Sequence, residues 1–396
     1  MCDHLHYFEA PGGCTAVALP FELDAMLAAW HSLRGRMARH RSPAFTRDEW
    51  AYLIMFLDTR NLQQPFLQVF GARVAQPQTA SITRVARPRG PIAIWLPNNV
   101  SLLGPLTLIL LLVTGNPIRL KGGSTSEDLT GAFLAYVREH DTTGVLRGLL
   151  DKQVRYEVFG REDARNRDMA AEAALRIVFG TDDSVAAVHA LPHPLGSAGF
   201  SHADRRSEAW IEADAVTEDL LAILLRVFAI YGQAGCTSPG RVVLLDQPVE
   251  QAVALRDRLA ACWDSLEFRD VAAHIASTNV MTRQWAAGCG WDAVLTDRNQ
   301  AVLAAGDATL ARIPGPMLLP IVAATAEEAE AGLPPNIQTL GYAAKDLGAE
   351  HWLRLLARTR VKRFVPIAHM HHFGPLWDGE PYWMHAFELV QVEVDQ

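Results

Sequence analysis

Between Gly90 and Gly180 the sequence alternates short strand-like runs with longer helical ones. This alternation restricts the fold more than any other feature of the chain. Residues 91–96, 117–121, 154–159 and 175–180 read as strands. Residues 102–114, 126–140 and 163–173 between them read as helices, and Ser124, Thr125 or Ser126 is expected to cap the second. Strands joined by helical crossovers form βαβ units, which build a parallel sheet covered on both faces. Such sheets bind ligands at the carboxyl ends of their strands, where the loops 97–101 and 180–184 fall. No G-x-G-x-x-G is present, so the usual dinucleotide fingerprint is missing.

The second half repeats the theme. A helix is expected at 218–229, a strand at 241–245, a helix at 250–263, and strands at 293–296 and 317–323. Ahead of residue 90, helices are expected at 21–38 and 47–67, followed by a Gln/Pro/Thr link at 76–82. A chain of 396 residues implies two or three domains. With 49% apolar and 20% charged residues it has the composition of a compact protein.

The net charge of −8 argues against a nucleic-acid partner, since phosphate binding needs a basic face. The longest apolar run, 102–113, is broken by Gly104-Pro105 and is too short to span a bilayer, so no membrane span is expected. The start, Met1-Cys2-Asp3-His4, is unlike a signal peptide. Cys2, Cys14, Cys236, Cys262 and Cys289 are scattered, with no CxxC spacing, and give neither a disulfide framework nor a zinc site. A cytoplasmic location is the expectation.

One cysteine stands out. In Tyr231-Gly232-Gln233-Ala234-Gly235-Cys236-Thr237-Ser238-Pro239-Gly240-Arg241, Cys236 sits among glycines and small hydroxyl residues, after a strongly apolar helix. Small neighbours let a carbonyl reach the sulfur, and nearby N–H groups favour the nucleophilic thiolate. The alternative is a buried cysteine acting as a small hydrophobe.

Together these stretches resemble the aldehyde dehydrogenase superfamily, and within it the acyl-CoA reductases of the LuxC type. Five segments carry the resemblance, in the family's order. They are Leu96-Pro97-Asn98-Asn99-Val100; Gly115-Asn116-Pro117-Ile118-Arg119-Leu120-Lys121; Val178-Phe179-Gly180-Thr181-Asp182-Asp183-Ser184; Gly232-Gln233-Ala234-Gly235-Cys236; and, near the end, Arg363-Phe364-Val365-Pro366 with Trp377-Asp378-Gly379. The resemblance implies an α/β fold with a Rossmann-like cofactor domain (1–206, including the N-terminal region), a cysteine-bearing catalytic domain (207–375) and a C-terminal segment (376–396). The active site is expected in the cleft between the two domains.

The same resemblance implies that Cys236 attacks the carbonyl of an acyl-CoA or acyl-carrier-protein thioester. The Asn99 amide and the Cys236 N–H would then stabilise the oxyanion. Lys121 and Ser124 would meet the adenosine ribose or a 2′-phosphate, and Gly180, Thr181 and Ser184 the pyrophosphate. Asp182 and Asp183 are expected to point away. Where many NAD-preferring relatives carry a glutamate, Ser124 stands, which favours NADPH while leaving NADH possible.

Two further glutamates of aldehyde-oxidising relatives are missing. The water-activating one is replaced in Pro192-His193-Pro194-Leu195-Gly196-Ser197-Ala198-Gly199, and the ribose-holding one in Arg312-Ile313-Pro314-Gly315-Pro316. The first absence favours reduction, because an acyl-cysteine must be kept from water.

His202 and Glu208 are expected at the surface. His369 and His371 share a face if their segment is a strand, and with His372 are expected to pack or meet substrate, without binding metal. The leading reading is reduction of an acyl thioester to an aldehyde by a homo-oligomer. The alternatives are an oxidising aldehyde dehydrogenase and a non-catalytic acyl-binding homologue.

Overall fold

The computed structural model describes residues 4–75, 77, 81–125, 127–266, 268, 270–345 and 350–393. Two compact units are distinguished. One comprises residues 1–203 and 373–396, the other residues 204–372.

The first unit opens with a hairpin that the helix-oriented reading of residues 1–90 missed. Strands β1 (His4–Ala10) and β2 (Gly13–Leu19) pair antiparallel across Ala10-Pro11-Gly12-Gly13, where Gly12 and Gly13 have φ of 106° and 128°. Glycine populates such angles without a Cβ clash. Helix α1 (Leu23–Met37) matches expectation. The region expected as one helix from residue 47 is two, α2 (Arg47–Phe56) and α3 (Thr59–Phe70). Asp58 breaks the run by accepting a hydrogen bond from the Arg60 N–H as the cap of α3. Strands β3 (Ala72–Val74) and β4 (Ile82–Pro88) follow, and residues 76 and 78–80 of the expected link lie outside the described residues.

The alternating region forms as expected. Strand β5 (Ile92–Trp95), helix α4 (Leu103–Leu112), strand β6 (Ile118–Gly122) and helix α5 (Leu129–His140) come first. Asp128, rather than Ser124 or Thr125, caps α5 by accepting from the Gly131 N–H, and Ser126 lies outside the described residues. Then come α6 (Val145–Gln153), β7 (Val154–Val158), α7 (Arg165–Glu172), β8 (Leu175–Phe179), α8 (Asp182–His189) and β9 (Ala198–His202). The strands form a parallel sheet in the order β7-β6-β5-β8-β9. Ala93, Trp95 and Val178 on one face pack against Met169, Ala170 and Val185 of the covering helices.

The second unit is built on β10 (Arg206–Glu212), α9 (Glu218–Ala229), β11 (Pro239–Leu245), α10 (Val249–Asp264), α11 (Ala273–Gly288), β12 (Asp292–Leu295), β13 (Val302–Asp307), β14 (Leu318–Ala324), α12 (Ala326–Ala331), β15 (Ile337–Ala343), α13 (Glu350–Arg358) and β16 (Arg363–Pro366). Its 7-stranded sheet runs β12-β13-β14-β11-β10-β15-β16, parallel except at β12. The strand period of two sends Ala209 and Ile211 of β10 into one core with Leu221, Leu224 and Phe228 of α9, and sends Trp210 into the other with Trp352 and Leu355 of α13.

The chain then returns to the first unit. Its last strand, β17 (Phe387–Gln391), completes a sheet in the order β17-β4-β2-β1-β3. Asn116 ties this return to the parallel sheet. It is fully buried, its Oδ1 accepts from the Gly90 N–H (2.9 Å), and its Nδ2 donates to the Ala386 carbonyl and the Thr114 hydroxyl (each 2.8 Å). Replacing Asn116 with Ala leaves the half-buried Gly90 N–H without this acceptor, while the Ala386 carbonyl keeps the Arg89 N–H (2.9 Å). Urea titration of Asn116→Ala is therefore expected to show a loss of about 1–3 kcal/mol, and a loss below about 0.5 kcal/mol would contradict this role.

Candidate active site

The cysteine loop begins where α9 ends. Tyr231, Gly232 and Gln233 adopt left-handed φ values of 59°, 59° and 62°. Only Gly232 does so freely; a left-handed turn costs each of the other two about 1–2 kcal/mol. Two contacts offset that cost. The Gln233 amide bonds the backbone of Leu318, the first residue of β14, accepting from its N–H (3.0 Å) and donating to its carbonyl (2.7 Å). The Tyr231 ring packs edge-on against His371 at 5.7 Å.

Past this turn Cys236 is a half-buried thiol outside any disulfide. Its carbonyl accepts from the Ser207 hydroxyl (2.7 Å) at the start of β10, and the Ser238 N–H donates to the Gly235 carbonyl (2.9 Å). The next residue, Thr237, is buried, with its Oγ1 2.6 Å from His371 Nδ1. His371 Nε2 lies 2.7 Å from the Val227 carbonyl, which can only accept, so Nε2 carries the proton. Nδ1 is then the acceptor and Thr237 the donor. Burial brings the His371 pKa down to about 4, which keeps the ring neutral at ordinary pH.

The turn carrying His371 is itself fixed by Arg363. The guanidinium donates to the carbonyls of Met370 (2.9 Å), His369 (3.3 Å) and His372 (2.9 Å). The thiol thus sits at the amino edge of the second unit's sheet, on a backbone held from β10, β14 and the turn after β16.

The other expected site residues belong to the first unit, at the carboxyl edge of its parallel sheet. Asn98 and Asn99 are exposed in the bend after β5, where Asn98 Oδ1 accepts from the Thr125 N–H (3.2 Å). Lys121 lies near the end of β6, half-buried. Its Nζ donates to the Gly122 carbonyl (3.3 Å) and lies 5.7 Å from the centre of the Phe159 ring. Burial lowers its pKa, and among the described residues no carboxylate pairs with it. Ser124 is exposed in the following loop.

Gly180 follows β8, and Thr181 caps α8 by accepting from the Ser184 N–H (3.3 Å), with the two hydroxyls 3.0 Å apart. Asp182 and Asp183 are exposed. Sequence reading missed Arg165, whose guanidinium covers the other side of this region at 4.3 Å from the Phe159 ring centre. Its partners Asp163 and Glu157 are already engaged by it (2.7 and 3.3 Å).

Several expectations need correction. Glu208 is not at the surface: its side chain is 2% exposed and bonds Arg241 (2.7 Å), Arg312 (3.3 Å) and the Trp210 indole N–H (3.3 Å). Charge pairing makes its burial tolerable. His202 is also buried, with Nδ1 3.1 Å from Asp378 and its ring 4.5 Å from Phe179. The segment of His369, His371 and His372 is a helical turn, not a strand, so alternation does not apply. There the His369 and His372 rings stack at 4.5 Å, and burial, followed by the charges of His369 and Arg363, lowers the His372 pKa to about 4.

Residues 192–197, expected to replace the water-activating glutamate, precede β9 and lie at the amino edge of the parallel sheet. The carboxyl edge there is formed by Ser201, His202 and Ala203, which also include no glutamate. Among the described residues no group of His, Cys, Asp and Glu could hold a metal ion.

Comparison with protein families matches residues 60–382 to the acyl-CoA reductase (LuxC) family. The chain belongs to that family. Comparison with curated protein sequences gives no match. Among solved structures, a proline utilization A mutant from Bradyrhizobium japonicum is similar at 14% identity and a TM-score of 0.68, over 94% of this chain and 43% of that one. This chain therefore spans less than half the length of that relative. Succinic semialdehyde dehydrogenase from Streptococcus pyogenes, in complex with NADP+, is similar at 13% identity and 0.67, over 94% and 90% of the two chains. Glyceraldehyde-3-phosphate dehydrogenase from Methanocaldococcus jannaschii, complexed with NADP, is similar at 11% and 0.66, over 94% and 90%. These likenesses show that this LuxC-family chain has the aldehyde dehydrogenase fold.

The His371 environment sets a pH dependence. Its folded pKa of about 4 lies below the unfolded 6.5, so the unfolded chain binds the proton first. The resulting stability, about 3 kcal/mol, is complete above pH 6.5 and is lost as the pH falls toward 4. Urea unfolding from pH 7 to 4.5 is expected to show that decline in the wild type and a shallower one in His371→Gln. Equal slopes would contradict the assignment.

Proposed function

We propose that the chain reduces an acyl thioester, from acyl-CoA or an acyl-carrier protein, to the aldehyde through an acyl intermediate on Cys236, with NADPH as reductant. The observation that carries this reading is the half-buried thiol on a backbone pinned by Gln233, Ser207 and Thr237, in a chain of the acyl-CoA reductase family. The second unit then carries the catalytic thiol and the first the cofactor. The scattered cysteines and the family resemblance support a cytoplasmic homo-oligomer, which light scattering tests. No helix among the described residues is long and apolar enough to cross a membrane.

The residues at the carboxyl edge of the first unit's sheet suit an NADP-type cofactor. Lys121 is an ammonium without a carboxylate partner among the described residues, and Ser124 beside it adds no negative charge. Both suit a 2′-phosphate. Gly180, Thr181 and Ser184 at the start of α8 suit the pyrophosphate. The two solved structures with NADP or NADP+ support the same choice.

When bound, the cofactor supplies the reducing hydrogen for the acyl carbon. The protein does the rest. The Cys236 thiolate forms a bond to the thioester carbon, and the donor thiolate leaves and takes up a proton. The Asn99 amide and the Cys236 N–H stabilise the oxyanion that forms at the carbonyl. With no glutamate at Ser201–Ala203 to activate water, the acyl-cysteine survives until it is reduced. The thiolate is regenerated when the tetrahedral adduct collapses to the aldehyde.

Mixing the protein with NADPH, a panel of acyl-CoAs and an aldehyde trap tests this. Wild type is expected to form aldehyde and Cys236→Ala none. Asn99→Ala is expected to lower kcat about a hundredfold or more. Aldehyde formation by Cys236→Ala at the wild-type rate would overturn the mechanism. In fluorescence titrations Lys121→Ala is expected to weaken NADPH roughly tenfold or more while affecting NADH less. Equal effects on the two cofactors would remove Lys121 from the 2′-phosphate.

A further inference from the structure

At the opposite, amino edge of the first unit's parallel sheet lies a cationic group that the proposed reaction does not use. Arg176, the second residue of β8, is 4% exposed. Its Nε donates to the Ser197 hydroxyl (3.2 Å), while its buried Nη1 has no hydrogen-bond partner. Among the described residues no carboxylate pairs with it. A guanidinium cannot shed its proton at ordinary pH, so burial without a counter-charge is costly.

The groups around Arg176 are also donors or cations. The Ser197 hydroxyl is 3.3 Å from His193 Nδ1, and His189 Nε2 is 2.6 Å from the Ser201 hydroxyl. Burial, then the Arg176 charge, then His193 lower the His189 pKa, so this imidazole lies within the field of the Arg176 guanidinium.

The backbone leaves room for the cluster. Gly199 of β9 stands beside Arg176 in the strand register. A Cβ there would come within 3.0 Å of His189 Cε1 and 3.2 Å of Arg176 Nη2. Any other residue would crowd the imidazole and the guanidinium together. A fixed guanidinium, imidazoles and hydroxyls lacking any acid are the donor set for a tetrahedral oxyanion.

We propose that Arg176, His189, His193 and Ser197, gathered around Gly199, form a binding site for a phosphate group. The cofactor's phosphates are assigned to the other edge of the same sheet, so this site is separate from them. The phosphate is either free inorganic phosphate or part of a coenzyme A ester, such as its 3′-phosphate.

Calorimetry and thermal unfolding of the full chain, with inorganic phosphate, coenzyme A and 3′-dephospho-coenzyme A in separate arms, test this. Phosphate is expected to bind and to raise the Tm of wild type. In Arg176→Gln, binding is expected to weaken roughly tenfold to a hundredfold, as for loss of a charged hydrogen bond. Without phosphate, Arg176→Gln is expected to melt no lower than wild type, because it removes an unpaired buried charge. Should that variant fail to fold, Ser197→Ala on the exposed loop is expected to weaken phosphate binding with little change in Tm.

Coenzyme A outcompeting its dephospho form, with the difference lost in Arg176→Gln, would identify the 3′-phosphate as the occupant. Phosphate competing equally with both would identify free phosphate. The proposal is overturned if phosphate neither binds nor raises the Tm, or if it does so equally in wild type and variant. None of these readouts depends on Cys236, so the site stands or falls apart from the acyl-cysteine mechanism.

Discussion

The cysteine-bearing unit of this protein depends on a side-chain amide standing in for a strand. Gln233 exchanges two hydrogen bonds with the backbone of Leu318 and so holds three successive residues in left-handed conformation. That turn ends α9 abruptly and delivers the chain to the amino edge of the sheet, where Cys236 emerges before β11 begins. Ser207 then fixes the peptide unit that follows Cys236, and His371 holds the Thr237 side chain. Restraint of this kind matters for a nucleophile, because small displacements of a reacting atom are expensive in rate.

Charge is organised by the same economy of partners. Glu208 is buried with two arginines, Arg363 spends its donors on the carbonyls of one turn, and His371 is kept neutral by burial and by one carbonyl. For Glu208 and His371 these partners come from elements far away in sequence. Lys121 and Arg176 break this pattern, since neither has a carboxylate partner among the described residues. They lie at opposite edges of one sheet, and an anionic ligand is what we propose for each.

The sequence made some of this legible and hid the rest for physical reasons. Strands β5 and β8 are buried on both faces, so they read as nearly continuous apolar runs, and the carboxyl ends of β6 and β8 located Lys121, Gly180 and Thr181. Cys236 was visible because its neighbours are small. Strands β9 and β10 were missed because Gly199, Ser201, His202 and Glu208 interrupt any apolar pattern. Glu208 looked exposed because its partners Arg241 and Arg312 lie 33 and 104 residues away. The link from His371 to Thr237 spans 134 residues and leaves no local signal. The hairpin of β1 and β2 could have been found from Pro11-Gly12-Gly13 between two runs of strand-forming residues. Family resemblance supplied the roles of Asn99, Ser124 and Ser184, which spacing alone could not.

The central claim is that Cys236 carries the acyl group. Incubating the protein with an acyl-CoA in the absence of cofactor, then digesting it and mapping the adduct by mass spectrometry, tests that claim directly. The account predicts one acyl group, on the peptide containing Cys236, discharged as aldehyde when NADPH is added. An acyl group on another residue, or aldehyde formed with Cys236 never acylated, would contradict it.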